Sequence, residues 1–202
     1  MIACLLRHQG LQLDARDQDQ ATALHLATDS GDSEAIAILA SADPAMVHAK
    51  NKYGRTPLVI ASHRNGRVSV VQALLDHGAD LASREDSGRG SIEFAAAEGH
   101  LPVLRLLIEK GALLTNKEGF GRMAIHYAAM GNHVQVVQLL AESGADVNAT
   151  DKDGWTALHY AYCTHNQDVV KLLIDKGLDP LQKDRLGRTA ESYGTDSHEV
   201  NF

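Results

Sequence analysis

Turn-like segments return along this chain every 33 or 34 residues, each running into a short apolar stretch. They read DQDQATALHLA (17–27), NKYGRTPLVIA (51–61), EDSGRGSIEFA (85–95), EGFGRMAIHYA (118–128), DKDGWTALHYA (151–161) and DRLGRTA (184–190). A second family of endings keeps the same period: LLDHGADLAS (74–83), LLIEKGALLTN (106–116), LLAESGADVNA (139–149) and LLIDKGLDPLQ (172–182). A unit this short cannot bury its own apolar face and must stack on copies of itself. The chain therefore forms one elongated array, not a globule around a closed core.

The stretch 144–161 shows how one unit hands over to the next. Gly144 follows the apolar run Val134, Val136, Val137, Leu139, Leu140, where a helix end needs a left-handed residue. Asp151 to Gly154 is a turn signal, with Gly154 free to take positive φ. Thr156 can cap a helix starting at Ala157, its hydroxyl accepting from a first-turn N–H. With Thr-Pro-Leu at 56–58 and Thr-Ala-Leu-His at 22–25 and 156–159, the chain resembles the ankyrin repeat family over nearly its whole length. That resemblance implies an all-α, right-handed solenoid of stacked helix–turn–helix units with β-hairpin or turn fingers. The units run as a partial repeat at 1–16, full repeats at 17–50, 51–84, 85–117, 118–150 and 151–183, and a degenerate repeat at 184–202 with a frayed C-terminus. All of them belong to a single domain.

Departures from the pattern carry their own expectations. Gln20 fills the turn position that glycine takes elsewhere, at a cost of about 1 kcal/mol if it keeps positive φ. His165 stands where a glycine would end a first helix, and histidine tolerates that region better than most residues. Pro57 suits the first helical position. Gly90 and Glu93 replace the usual Thr and His, with Ser91 a candidate cap one position later. Met123 at a cap position leaves His126 without a threonine partner, so its ring is expected to bond elsewhere.

Composition sets the class of partner. Net charge is 19 − 26 = −7, which gives no general affinity for nucleic acid or anionic membranes. No run approaches the roughly 18 apolar residues of a membrane span. The two cysteines, Cys4 and Cys163, fall in opposite end units, a usage that fits a reducing, intracellular (cytoplasmic or nuclear) setting.

Catalytic and metal chemistry find little footing. His25, His126 and His159 share one repeat position and so lie a helix-packing distance apart, roughly 8–10 Å, too far to share an ion. Each ring reads instead as bonded to its cap. Cys163 and His165 have no oxyanion pocket beside them and read as surface groups. The glycines at 88–90 and 119–121 lack the spacing and lysine of a phosphate loop. No cofactor and no metal are implied, and the chain is read as a non-enzyme.

In the resembling family, partners are held by the finger tips and the exposed ends of the first helices. Here those positions give Tyr53, Phe120, His63, Arg64 and Met130, and the position before each cap gives Arg55, Arg89, Arg122, Trp155 and Arg188. Four arginines and the only tryptophan in one column of an acidic protein read as an interface for an acidic segment with an apolar anchor. The same column also reads as long residues covering the turn below, stems packed and heads in water. Asn148 matches a finger asparagine that an oxygen-dependent hydroxylase modifies in some relatives, although a hydrogen bond across the finger explains it equally well. The module is expected to be monomeric. Two other readings stay open: a targeting segment of a longer enzyme or effector, suggested by the unit cut short at Met1, and a structural spacer.

Overall fold

A computed structural model describes residues 15–64 and 66–195. The expected partial repeat at the N-terminus and the fraying after Thr195 lie largely outside these residues. Among them the helices are α1 Ala23–Ser30, α2 Ser33–Ala42, α3 Pro57–Arg64, α4 Val68–Asp76, α5 Ser91–Ala97, α6 Leu101–Glu109, α7 Ala124–Met130, α8 Val134–Glu142, α9 Ala157–Cys163, α10 Gln167–Asp175 and α11 Ala190–Thr195, with a 3-10 turn at Pro44–His48. The result is an all-α solenoid.

Each odd helix packs on the even helix that follows it and on the next odd helix along, and successive even helices pack in a second row. The odd row is the more closely packed. Its contacts are made through small residues, Ala61, Ala95, Ala96, Ala128, Ala129 and Ala161, all fully buried. Bulkier Val70, Leu74, Leu104, Leu107, Val137, Leu140 and Leu173 fill the even row. A tighter inner row bends the stack, so the odd helices and their fingers line its concave side. One apolar cluster runs from Leu24 to Ala190 without a break.

The fingers hold no regular strand among the described residues. They are turns, two of them closed by isolated antiparallel bridges, Arg84 with Gly90 and Lys183 with Thr189. Neighbouring fingers are tied tip to tip: N–H groups of Lys52, Asp86, Gly119, Lys152 and Arg185 donate to carbonyls of Asp19, Tyr53, Ser87, Phe120 and Asp153 at 2.8, 3.2, 3.0, 2.9 and 3.0 Å.

The caps correct two expectations. His25 and His159 accept the backbone N–H of Thr22 and Thr156 through Nδ1 at 3.1 and 3.2 Å, with the threonine hydroxyls 2.9 Å from the same nitrogens. The His126 ring was expected to bond elsewhere, yet its Nδ1 holds the same place at the cap, accepting the Met123 N–H at 3.0 Å. The anchor is the backbone amide, which methionine supplies as well as threonine. Ser91 does not stand in as a cap: it is the first residue of α5, its buried hydroxyl without a partner. Glu93 takes that role, accepting the Gly90 N–H at 2.7 Å. Gln20 and His165 do take positive φ, 58° and 57°, and Asn132 joins them at 57°.

Candidate functional site

Each finger is built around its first residue. Asn51 Oδ1 accepts the N–H groups of Tyr53 and Arg55, both at 3.0 Å. Glu118 does the same for Phe120 and Arg122 at 2.9 and 3.0 Å, Asp151 for Asp153 and Trp155 at 2.8 and 2.9 Å, and Asp184 for Leu186 and Arg188 at 2.8 and 2.9 Å. The carbonyl of the residue before the cap then accepts from the first residue's N–H, as Arg55 does from Asn51, Arg122 from Glu118 and Trp155 from Asp151. Both backbone groups of every residue in the column are thus committed within its own turn. The side chains leave from a fixed base.

The column itself is a ladder of cations and rings. Arg89 pairs with Glu85 at 3.5 Å, Arg122 with Glu118 at 3.2 Å and Arg188 with Asp184 at 3.9 Å, in each case the carboxylate that opens its own finger. The guanidinium groups also lie over rings: Arg89 over Phe94 at 4.4 Å, Arg122 over Tyr127 at 5.1 Å, Arg188 over Tyr193 at 4.3 Å. Trp155 packs against Tyr160 at 5.1 Å and reaches Tyr193 of the next unit at 4.5 Å. Arg55 differs, lying between Tyr53 at 5.7 Å and Phe94 of the next unit at 5.3 Å. So the structure brings Arg55, Arg89, Arg122, Trp155 and Arg188 onto one face, where they cover their own turns and rings.

The other candidates flank it. Tyr53 and Phe120 stand exposed at finger tips, 47% and 62% accessible. His63 is half-buried, its ring 4.8 Å from Phe94 and 3.5 Å from the Glu98 carboxylate; burial lowers its pKa although Glu98 opposes this. Arg64 is exposed and pairs with Asp29 at 3.2 Å. Met130 is half-buried against the core. Cys163 is a half-buried free thiol whose pKa burial raises. Asn148 is exposed; among the described residues its side chain makes no bond across the finger, and its N–H donates to Asp146 at 3.0 Å.

Sequence reading missed two repeated features. The rings beneath the column, Phe94, Tyr127 and Tyr193 under arginines and Tyr160 under Trp155, each follow their cap by four residues, and this signal lies in the motifs themselves. Tyr160 donates to Asp151 at 2.7 Å and Tyr193 to Asp184, while the buried Tyr127 hydroxyl has no partner. Burial pushes the Tyr127 phenol up to about 12. The second feature is a set of donors at the start of even helices. Arg67 reaches back to the Ser30 carbonyl at 3.2 Å, His100 to His63 at 3.2 Å, His133 to Ala97 at 2.9 Å and Asn166 to Ala129 at 3.1 Å. Each donates to a carbonyl at the C-terminal end of the odd helix in the preceding unit, where helix carbonyls run out of intrahelical partners.

The buried cap histidines add a third tie. With Nδ1 accepting, Nε2 carries the proton and donates onward, His25 to the Arg55 carbonyl and His126 to that of Ala149, both at 3.0 Å. His159 Nε2 faces the Arg188 carbonyl without closing a bond of normal geometry. Burial lowers the pKa of all three rings and holds them neutral, as this bonding requires. Among the described residues no three His, Cys, Asp or Glu side chains are grouped to hold a metal, and no helix is long and apolar enough to cross a membrane.

Comparison with known proteins agrees with this architecture. A family model for ankyrin repeats in three copies matches residues 1–85 and again 92–184. The B-cell lymphoma 3 protein homolog of Mus musculus is 34% identical over 89 residues, which is 44% of this chain. The match spans 20% of that curated relative's length.

Proposed function

The chain belongs to the ankyrin repeat family, and from that premise we propose that it is a non-catalytic, intracellular, monomeric module that binds another protein on its concave face. We read residues 17–183 as five units of one binding domain. The observation that carries this reading is the column Arg55, Arg89, Arg122, Trp155 and Arg188, set on hydrogen-bonded finger bases beside exposed Tyr53 and Phe120. Such a surface is formed before the partner arrives, so little ordering entropy opposes binding. Arg, Trp, Tyr and Phe are the residue types that concentrate interface energy. The partner is an acidic segment carrying an apolar anchor, steered to the arginines and seated against the rings. Replacing Arg55, Arg89 and Arg122 together by Glu, and measuring affinity for a partner identified by affinity capture, tests this. Binding is expected to collapse and to lose its salt dependence. Unchanged affinity in a variant that melts like the parent would refute it.

A further inference from the structure

We propose that the cleft between the first two fingers is a receptor for one carboxylate side chain of the partner, held by Arg55, with an apolar residue beside it. This rests on the concave face being the binding face and names its charged subsite. Three of the column's four arginines already face a carboxylate from their own finger, Glu85, Glu118 or Asp184. Asn51 opens the second finger instead. Its amide oxygen keeps both turn hydrogen bonds, so the finger is intact, but the negative charge is gone. Among the described residues no carboxylate lies within ion-pair distance of Arg55, and its buried Nε has no hydrogen-bond partner. A buried N–H without an acceptor is costly, and a carboxylate is the acceptor that the half-buried guanidinium fork of Arg55 fits.

The surroundings decide which anion. Arg55 lines a cleft together with Leu26, Tyr53, Ile60 and the acids Asp17, Asp19 and Asp29. Asp17 is taken up by finger N–H groups at 2.8 and 2.9 Å, Asp19 pairs with Lys52, and Asp29 pairs with Arg64 at 3.2 Å. Asp17 keeps its charge, so the three acids and the cations Lys52, Arg64 and Arg55 balance overall; Arg55 is the one of these cations that no ion pair holds among the described residues, and a single negative charge is what it can take. A dianionic phosphate would meet the repulsion of three neighbouring acids with only one free charge to offset it. Leu26, 57% accessible, forms an apolar wall next to Tyr53 and Ile60 for a hydrophobic neighbour of the carboxylate.

The buried Arg55 Nε–H is shielded from solvent and can be followed by side-chain 15N NMR. The probes are the capped tripeptides Leu-Glu-Leu, Leu-Gln-Leu and Leu-phosphoserine-Leu, titrated into the intact chain. Leu-Glu-Leu is expected to move the Arg55 resonance saturably and to bind about 10- to 100-fold more tightly than Leu-Gln-Leu. Arg55→Gln should abolish that preference, and Arg105→Gln, an exposed change on α6 away from the fingers, should leave it, with melting temperatures confirming that both variants are folded. No saturable shift at Arg55, equal binding of the Glu and Gln peptides, tighter binding of the phosphoserine peptide, or an equal loss in Arg105→Gln would each overturn the assignment. If Arg55 stays silent while a captured partner still protects the fingers, this subsite alone falls. If the partner leaves the whole concave face untouched, the proposed function falls with it.

Discussion

His126 carries a prediction that can be worked from its contacts. The ring is fully buried, accepts the Met123 N–H at 3.0 Å and stands 3.0 Å from the Ala149 carbonyl. Both residues are themselves buried, at 7% and 6% accessibility, so water cannot replace the ring. His126→Leu keeps the bulk and orphans two backbone groups at about 1–3 kcal/mol each; partly offset by leucine's apolar burial, the net loss is about 2–4 kcal/mol. His126→Gln can still reach the cap N–H, as glutamine does three residues into a capped helix, and orphans only the Ala149 carbonyl, for about 1–2 kcal/mol. Urea unfolding followed by helical circular dichroism measures both losses. In a chain of this size the leucine variant should also melt about 5–15 °C lower. Leucine within about 0.5 kcal/mol of the parent, or glutamine as damaging as leucine, would refute the assignment of both bonds to this ring.

Three further outcomes follow from the same geometry. Burial lowers the pKa of His25, His126 and His159 from 6.5, so the unfolded chain takes up protons first on acidification. Stability should be level above about pH 7 and fall as pH drops below about 6.5, by up to about 1.4 kcal/mol per unit for each ring until its folded pKa is reached; a urea midpoint that rises on acidification would contradict this. Tyr127→Phe removes a buried hydroxyl that bonds nothing and should be neutral or stabilise by up to about 1 kcal/mol, whereas Tyr160→Phe strips Asp151 of a donor at 2.7 Å and should cost about 1–2 kcal/mol; the ranking of the two melting temperatures checks it. Gln20→Gly relieves a side chain held at φ 58° and should raise stability by about 1 kcal/mol in the same assay, while a loss would show that the side chain contributes more than its backbone strain costs.

The helix pairs could be read from sequence because apolar spacing and turn glycines recur residue for residue. The site was legible only in outline. Arg55, Arg89, Arg122, Trp155 and Arg188 share a register, but their standing depends on the first finger residue, and Asn51 in place of an acid gains meaning only once Glu85, Glu118 and Asp184 are seen to face their arginines. Phe94, Tyr127, Tyr160 and Tyr193 stand four residues after each cap in plain view, but a ring at a helix position does not by itself reveal the side chain stacked above it. Arg67, His100, His133 and Asn166 left no trace because a helix-end carbonyl accepts from any donor, so the chemistry repeats while the residue type does not. The capping of α5 by Glu93 and the unaltered His126 ring follow similarly from backbone amides, which a side-chain motif does not record.

Hydrogen–deuterium exchange of the chain with and without a captured partner is the most direct measurement of where binding occurs. Slowed exchange in the fingers around Tyr53, Phe120 and Trp155 and along α3, α5, α7 and α9, with α4, α6, α8 and α10 unchanged, is the expected result. Protection confined to the even-numbered helices, with the fingers exchanging as in the free protein, would contradict it.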